Sequence, residues 1–324
     1  MRWALAVLGA LSDNVDDADA LLHITPPHFF RPRERAFNIL FTAFEGEILP
    51  DEYPAACRRA DLILVPSQHN VDVFGRAGIP TQRCPLGLDY GIFRFVERKP
   101  PGSESFRYLW VGAPNPRKGW TILDRAWRLE FAHDPRVELY IKTTSPDASR
   151  CQVGNVIADG RIFTDLELAE LYASAHCFVF PSYGEGFGLT LAEAMATGLP
   201  AIFTNYGGVR DFANGANGYP LAPKLIAVEY FGRNLMAAAD PSLLAAAMRN
   251  VQQNYLVALV KGRRAASDLS RDFTWNESAK RLLKIVGAHL PQLSGPDSRP
   301  ILHSHPSSIR TQTGRRSSPV LRRS

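Results

Sequence analysis

Short apolar runs alternate along the chain with stretches whose apolar residues recur every three or four positions. The runs end at Pro, Gly, Asn or Asp, which is typical of buried strands, and the intervening stretches are typical of amphipathic helices. In the first part of the chain, the predicted strands are residues 20–25, 38–44, 61–67 and a segment ending near Cys84. The predicted helices there are residues 51–60 and 70–77. This alternation predicts an α/β fold with a parallel sheet covered on both faces.

A second alternation begins after residues 97–105, where Pro and Gly predict a linker. Beyond it, the predicted strands are residues 106–111, 137–141, part of 155–163, 177–180 and 201–204. The predicted helices are residues 120–131, 166–174, 189–197, 241–260 and 276–289. A chain of 324 residues is long enough for two domains. We therefore expect one domain over residues 1–100 and a second over residues 101–290.

The basic character of the chain comes from residues 291–324. The whole chain has a formal net charge of +5, and this tail alone, with six arginines against Asp297, has the same charge. The arginines are Arg299, Arg310, Arg315, Arg316, Arg322 and Arg323. The remaining chain is close to neutral, so nucleic acid is not an expected partner. The tail is rich in Ser, Pro and Gly, which predicts disorder, and a peripheral contact with an anionic membrane stays open.

Cysteine usage and the N-terminal segment bear on the compartment. The four cysteines are scattered and suggest neither a disulfide framework nor a metal site, which favours a reducing compartment. Residues 1–11 have one positive charge and a short apolar stretch but no convincing cleavage site, so we interpret them as part of a folded domain. We expect a cytoplasmic protein, with contact at the inner face of the membrane left open.

The segment from Pro181 to Pro200 carries the strongest chemical signal. A glycine-rich loop containing Glu185 follows a predicted strand and leads into a predicted helix containing Glu193. The first N–H groups of a helix lack partners and carry partial positive charge, so such a loop favours an anion. Glu193 would lie about one turn beyond the start of the helix, since each residue rises ~1.5 Å. One ligand could contact both acids and place its phosphates between them.

A second loop, residues 112–119, carries Arg117 and Lys118 just before a helix. In an open α/β sheet, ligands bind beyond the carboxyl ends of the strands, and both loops emerge there. Lysine offers phosphate a compact charge, and arginine can bind two oxygens at once. Alone, these cations would be interpreted as solvated loop charges. Beside the Glu185 loop, we interpret them as ligands of the same anion.

Together these segments resemble the retaining, nucleotide-sugar-dependent glycosyltransferases of family 4, also called group 1, which have the GT-B fold. The resemblance rests on Glu185 and Glu193, eight residues apart, and on a strand–loop element ending in Lys118-Gly119. Further elements of the family, in the family's order along the chain, are resembled by residues 60–89, 164–175 and 205–211. The likeness covers about residues 20–288. It implies two Rossmann-like domains facing a cleft, the N-terminal one on the acceptor side and truncated, the C-terminal one binding the nucleotide sugar.

The resemblance also implies a role for each matching residue. Lys118, helped by Arg117, would neutralise the donor diphosphate, Glu185 would lie near the transferred sugar, and Glu193 would hold the ribose hydroxyls. The expected catalytic residues are Glu185, Lys118 and His23, with His28 as the other candidate histidine. The residues expected to contact the donor are Arg117, Gly186, Phe187, Gly188, Leu189, Thr190 and Glu193. Neither a metal nor a cofactor is implied, and the expected partners are the nucleotide sugar and a glycan or lipid-linked acceptor.

Two further residues, His69 and Glu45, carry expectations of their own, and the chain differs from the family pattern in two places. His69 is expected to be a solvated residue at a helix start, and Glu45 could face the cleft. The family's opening strand and glycine-rich loop are missing, so we expect a trimmed first domain or a start further upstream. Ala113 stands where the family often has an arginine, and Arg117 is hypothesised to replace it.

Three functions stay open. The first is an active retaining glycosyltransferase. The second is a non-catalytic nucleotide-sugar-binding protein without a complete acceptor domain. The third is another α/β enzyme, such as a sugar-nucleotide epimerase. No motif marks the base, the sugar or the acceptor.

Overall fold

One parallel and one mostly parallel sheet form the two halves of the molecule, and each packs against hydrophobic cores of its own. The computed structural model describes residues 18–102, 104–144 and 150–289. The predicted disordered tail and the segment of residues 1–11 lie outside the described residues. None of the helices within the described ranges has the length and apolar character that crossing a bilayer requires.

The first sheet contains four parallel strands in sequential order. They are β1 (Ala20–Ile24), β2 (Phe37–Phe41), β3 (Leu62–Val65) and β4 (Gln82–Arg83). Two helices follow strands of this sheet, α1 (Glu52–Cys57) and α2 (Gln68–Arg76). Every residue of β3 is buried, since the sheet is covered on both faces. Ser67 caps α2 by accepting a hydrogen bond from the Asn70 N–H, and the buried Asn70 amide bonds both backbone groups of Phe44.

The second sheet has the strand order β11-β10-β9-β5-β6-β8-β7. Its strands are β5 (Phe106–Val111), β6 (Val137–Lys142), β7 (Cys151–Val153), β8 (Val156–Asp159), β9 (Cys177–Phe180), β10 (Ala201–Thr204) and β11 (Tyr219–Leu221). Neighbouring strands are parallel except β7 and β8. The chain proceeds outward in one direction from β5 to β6 and β8, then returns to the other side of β5 at β9. The gap between β5 and β9 is therefore the topological switch point of a doubly wound fold.

Helices cover both faces of this second sheet. They are α3 (Trp120–Glu130), α4 (Asp165–Ser174), α5 (Leu189–Ala196), α6 (Pro241–Gln253) and α7 (Tyr255–Asp272). Successive residues of β5 point to opposite faces, so Tyr108 and Trp110 enter one core and Leu109 and Val111 the other. The predicted α/β fold is thus confirmed in both halves.

The chain returns to the first half at its C-terminal end. The last helix, α8 (Trp275–Gly287), places Leu282, Ile285 and Val286 against the first sheet. Leu88 also pairs with Thr274, and its N–H donates to Phe273 O at 2.9 Å. The predicted domain of residues 101–290 therefore ends with a helix that packs on its neighbour, and the chain crosses between the halves twice.

Two features of the second half differ from the sequence-based expectations. The predicted helix over residues 241–260 is wrong, because Asn254 ends α6 and begins α7 with a non-helical backbone (φ −113°, ψ 41°). The amphipathic pattern continues through this break, so periodicity alone does not detect it. A β-hairpin was also missed: β12 (Lys224–Glu229) pairs antiparallel with β13 (Arg233–Ala238).

The predicted linker is anchored where it begins. The guanidinium of Arg98 is buried and donates to Tyr172 O at 2.9 Å and to Thr197 Oγ1 at 3.0 Å. Glu97 forms an ion pair with Arg263. These contacts hold the connecting segment against the second half before the chain enters β5.

Candidate active site

The two loops that carry the predicted site meet at the switch point of the second sheet. β5 and β9 are neighbours, with Tyr108 paired to Cys177 and Leu109 to Phe178. The loop after β5 contains a short 3-10 turn at Pro116–Lys118, and the loop after β9 contains Glu185. The backbone joins them, because the Tyr183 N–H donates to Arg117 O at 2.8 Å. The predicted juxtaposition of the two loops is therefore present in the structure.

Gly119 allows this close approach. Its backbone has φ 74°, in the left-handed region that favours glycine, and it begins α3. A Cβ at this position would lie 1.9 Å from Pro181 O. The loop after β5 can therefore lie against the start of the loop after β9 only if residue 119 has no side chain.

A buried ion cluster holds the two loops at their centre. Glu185 is 7% exposed; its Oε1 lies 2.7 Å from Lys118 Nζ, and its Oε2 lies 3.2 Å from Arg117 Nη1. Ser182 Oγ donates to the same carboxylate at 2.7 Å. Burial acts to raise the pKa of Glu185, but the charges and hydrogen bonds of Lys118, Arg117 and Ser182 outweigh it and lower this pKa to about 2. The carboxylate is therefore ionised at neutral pH.

Arg117 extends the cluster to the first half of the molecule. Its guanidinium donates to Gly184 O at 2.5 Å, and its Nη2 lies 3.4 Å from Glu45 Oε1. The Tyr230 hydroxyl donates to Glu45 Oε2 at 2.7 Å. Burial acts to lower the pKa of Arg117, but Glu185 and Glu45 together raise it above its usual value. Glu45 thus faces the cleft, as the sequence suggested, while Ala113 is an exposed loop residue.

The second predicted acid lies deeper, beside the start of α5. Leu189 and Thr190 are half-buried at the first turn, whereas Glu193 is 8% exposed. The Tyr172 hydroxyl lies 3.2 Å from Glu193 Oε2 and 3.2 Å from Thr190 O. Burial raises the pKa of Glu193 to about 8, although the Tyr172 hydrogen bond acts against this shift. Of the two predicted acids, Glu185 is therefore held ionised by its cations, whereas burial favours the protonated form of Glu193.

The glycine-rich loop is packed between the first half of the molecule and the 3-10 turn of residues 207–211 of its own half. A Cβ on Gly184 would lie 2.2 Å from Glu45 O, and a Cβ on Gly186 would lie 2.7 Å from Ala43 Cβ. On the other side, the Gly208 N–H donates to Glu185 O at 2.8 Å from the 3-10 turn of residues 207–211. The spacing of glycines in this loop is thus set by its neighbours, and Phe187 packs in the core beneath it.

His23 and His28, the two candidate histidines, occupy different environments. His23 Nε2 lies 3.1 Å from Asn38 Oδ1, and its ring packs on Phe30; among the described residues it has no contact with Arg117, Lys118 or Glu185. The structure therefore does not bring His23 into the ion cluster. His28 lies nearer the cleft, with its ring 5.7 Å from that of Tyr53.

The expectation of a solvated His69 is wrong. Its ring packs edge-on against Tyr206 at 5.1 Å, and its Nε2 is buried without a partner in the described chain. Burial lowers the pKa of His69. Tyr206 comes from the other half and also donates to Glu47 at 2.6 Å, so this contact depends on tertiary structure that a local helix-start pattern does not reveal.

Within residues 18–102, 104–144 and 150–289, no group of three or more His, Cys, Asp or Glu side chains is arranged to hold a metal ion.

Comparison with known proteins supports the group 1 glycosyltransferase part of the resemblance. Residues 105–254 match the family model of glycosyl transferases group 1. Glycogen synthase of Mycobacterium tuberculosis (strain ATCC 25618 / H37Rv) is 34% identical over 202 residues, which cover 60% of this chain and 45% of that protein. D-inositol 3-phosphate glycosyltransferase of Geodermatophilus obscurus is 27% identical over 277 residues, 80% of this chain and 54% of that protein. The chain spans about half the length of these curated relatives.

Two solved structures share the fold. Sucrose-phosphate synthase from Thermosynechococcus elongatus superposes with a TM-score of 0.63 at 20% identity, covering 79% of this chain and 69% of that one. Anabaena HepE, solved in complex with UDP and glucose, superposes with a TM-score of 0.60 at 17% identity, covering 78% of this chain and 72% of that one. These superpositions confirm the GT-B type of α/β fold.

Replacing Gly119 by Ala tests the loop contact. The variant should lose about 1–3 kcal/mol more stability than Gly154→Ala, because both introduce a Cβ at positive φ but only Gly119 meets the backbone of Pro181. Gly154 lies between β7 and β8, and a Cβ added there would have no atom within 4 Å, so it is the matched control. Urea denaturation measures both losses. Equal losses in the two variants would contradict the proposed contact.

Glu193→Gln should change the pH dependence of stability. The native pKa of about 8 lies above the ordinary glutamate value of 4.5, so the native state binds more protons than the unfolded state between these two pH values. Wild-type stability should therefore fall by on the order of 1 kcal/mol per pH unit across this window, relative to the variant, which does not titrate. Denaturation at pH 5 and pH 8.5 measures this difference, with the exposed Glu170→Gln as control. A Glu193→Gln effect that is the same at both pH values would contradict a buried, protonated Glu193.

Proposed function

We propose that this chain is a group 1 glycosyltransferase that transfers a sugar from a nucleoside diphosphate sugar to a glycan or lipid-linked acceptor, with retention of configuration. The observation that carries the proposal is the contact of Lys118 and Arg117 with Glu185 at the switch point, beside the N-terminal turn of α5. Half-buried cations next to unpaired helix N–H groups favour a multiply charged anion, and a diphosphate has that charge.

The donor would lie across the start of α5. Backbone N–H groups of residues 188–190 would face the diphosphate, since the first turn of a helix leaves its N–H groups without intrahelical partners. Lys118, now bonded to Glu185, would share its charge with a diphosphate oxygen. Glu193 would meet the ribose, because a protonated carboxyl both donates and accepts a hydrogen bond, and a pair of hydroxyls needs both.

In the transfer step, the bond from the anomeric carbon to the diphosphate breaks, and its electron pair leaves with the diphosphate. The acceptor hydroxyl oxygen forms the new bond to the anomeric carbon, and its proton passes to the departing diphosphate. Negative charge therefore grows on the leaving group, where Lys118 and the helix N–H groups stabilise it. Glu185, with a pKa of about 2, would not supply a proton at neutral pH. Its part would be to hold both cations in place.

Of the two candidate histidines, we favour His28 for a position near the transferred sugar. Its ring lies against Tyr53 and 6.3 Å from that of Phe231, and Phe231 packs on Tyr230, whose hydroxyl bonds Glu45. His23, bonded to Asn38, stays the alternative. Replacing each by Ala in the same transfer assay separates them, because the histidine that contacts the sugar should cause the larger loss of rate.

Lys118→Ala should lower kcat/KM for the donor by about 10²–10³, the usual loss when one group that stabilises a leaving anion is removed. Arg128→Ala is the matched control, since Arg128 is an exposed arginine on α3 paired with Asp124. Donor hydrolysis and transfer are measured with UDP-, GDP- and ADP-sugars. The productive donor should also stabilise the wild-type chain by about 2.7 kcal/mol at a hundredfold excess over its Kd.

Two outcomes count against this function. Stabilisation by a nucleotide sugar without hydrolysis or transfer would favour a non-catalytic binding protein. No stabilisation by any of these donors would contradict the proposed donor site. An equal loss of kcat/KM in the Lys118→Ala and Arg128→Ala variants would contradict it as well.

A further inference from the structure

The hairpin that the sequence did not predict crosses from the second half of the molecule to the first. Its base is fixed to the Glu185 loop, because the Ala237 N–H donates to Tyr183 O at 2.9 Å. Further along, the buried side chain of Asn234 accepts from the N–H groups of Glu47 and Ile48 at 3.0 and 3.1 Å and donates to Ile48 O at 2.7 Å. The hairpin is therefore held at both ends and is not a free arm.

The tip of the hairpin presents an aromatic ring in a strained conformation. Phe231 has φ 50°, which is uncommon for a bulky residue and costs on the order of 1–3 kcal/mol. Burial does not offset this cost, because Phe231 is 56% exposed. A strained backbone that places a large apolar ring in solvent indicates that the ring is positioned for a contact.

The ring of Phe231 is part of a larger surface, which we call the aromatic shelf: Phe29, His28 and Phe231, with Tyr53 beneath. The rings of His28 and Phe29 lie 4.1 Å apart, and His28 lies 6.3 Å from Phe231. Phe29 is 62% exposed. His28 Nδ1 is buried without a partner among the described residues. The shelf thus places two exposed aromatic side chains beside a half-buried histidine ring.

The aromatic shelf is continuous with the proposed donor site. Tyr230 packs against Phe231 at 5.0 Å and lies under the Arg117 guanidinium at 6.0 Å. Its hydroxyl bonds Glu45, which pairs with Arg117, which in turn pairs with Glu185. A molecule resting on the shelf would therefore lie next to the place where the sugar is transferred.

We propose that the aromatic shelf binds a pyranose ring of the acceptor, with the C–H face of that ring stacked on Phe231. A pyranose has an apolar C–H face, which suits the negative face of an aromatic ring, and a rim of hydroxyls, which suits His28 and Glu45. Glu45, which is bonded to the Tyr230 hydroxyl beside the shelf, is acidic and does not suit an anionic lipid surface. This inference rests on the proposed function for its location, and it assigns the hairpin tip as a determinant of acceptor specificity.

Saturation-transfer NMR with methyl α- and β-pyranosides of glucose, galactose and mannose tests the shelf, with and without UDP, GDP or ADP. In the wild-type protein, at least one glycoside should receive saturation through its C–H protons. Phe231→Ala should weaken the binding of that glycoside about tenfold, within the range that one aromatic contact supplies. Phe231→Trp should retain binding. Leu225→Ala, which removes a 55% exposed apolar side chain far along β12 from the tip, should bind like wild type.

The outcomes separate the shelf from the donor site. Nucleotide stabilisation should be the same in all four proteins, and its absence in all four would count against the donor site while the glycoside signal still reports on the shelf. The shelf is contradicted if no glycoside receives saturation or if Phe231→Ala binds the glycoside like wild type. It is equally contradicted if Leu225→Ala loses as much glycoside affinity as Phe231→Ala. It is also contradicted if Phe231 is needed for binding phosphatidylglycerol vesicles and no glycoside binds.

Discussion

The buried contact of Lys118 and Arg117 with Glu185 is the interaction on which the rest of the site depends. Three charged groups at the switch point would be costly to bury alone, and they are stable together because each has a partner. The contact joins the loops after β5 and β9, fixes the start of α5 beside two cations, and keeps Glu185 ionised. An anion that arrives at this helix start meets positive charge that is already in position, so little reorganisation is needed on binding.

The same cluster connects the two halves of the molecule. Arg117 reaches Glu45 across the cleft, and Tyr230 and Asn234 bring the hairpin to the same segment of residues 45–48. Tyr206 and His69 form a second contact between the halves. Because Arg117 belongs both to the proposed donor site and to the contact between the halves, we expect donor binding to be coupled to how the halves meet. The proposed acceptor shelf lies on this boundary, where a donor on one half and an acceptor on the other would come together.

Sequence reasoning predicted those parts that depend on local pattern and strand order. Lys118 and Glu185 could be placed together because loops at the carboxyl ends of adjacent parallel strands must meet, whatever fills the space between them. The break at Asn254 was missed because the amphipathic sequence pattern continues through it. The hairpin was missed because residues 224–238 match none of the elements on which the resemblance rested. The contacts of its tip, Phe231 with His28 and Phe44, are to the other half of the molecule and leave no local signal. His69 looked solvated for the same reason, since Tyr206 covers it from more than a hundred residues away.

A crystal structure with a bound nucleoside diphosphate tests the central claim most directly. The account predicts diphosphate oxygens within hydrogen-bonding distance of Lys118 Nζ and of backbone N–H groups at residues 188–190, with the ribose hydroxyls on the Glu193 carboxyl. A diphosphate bound elsewhere, or one bound at α5 with Lys118 still directed only at Glu185 and Glu193 out of reach, would contradict it.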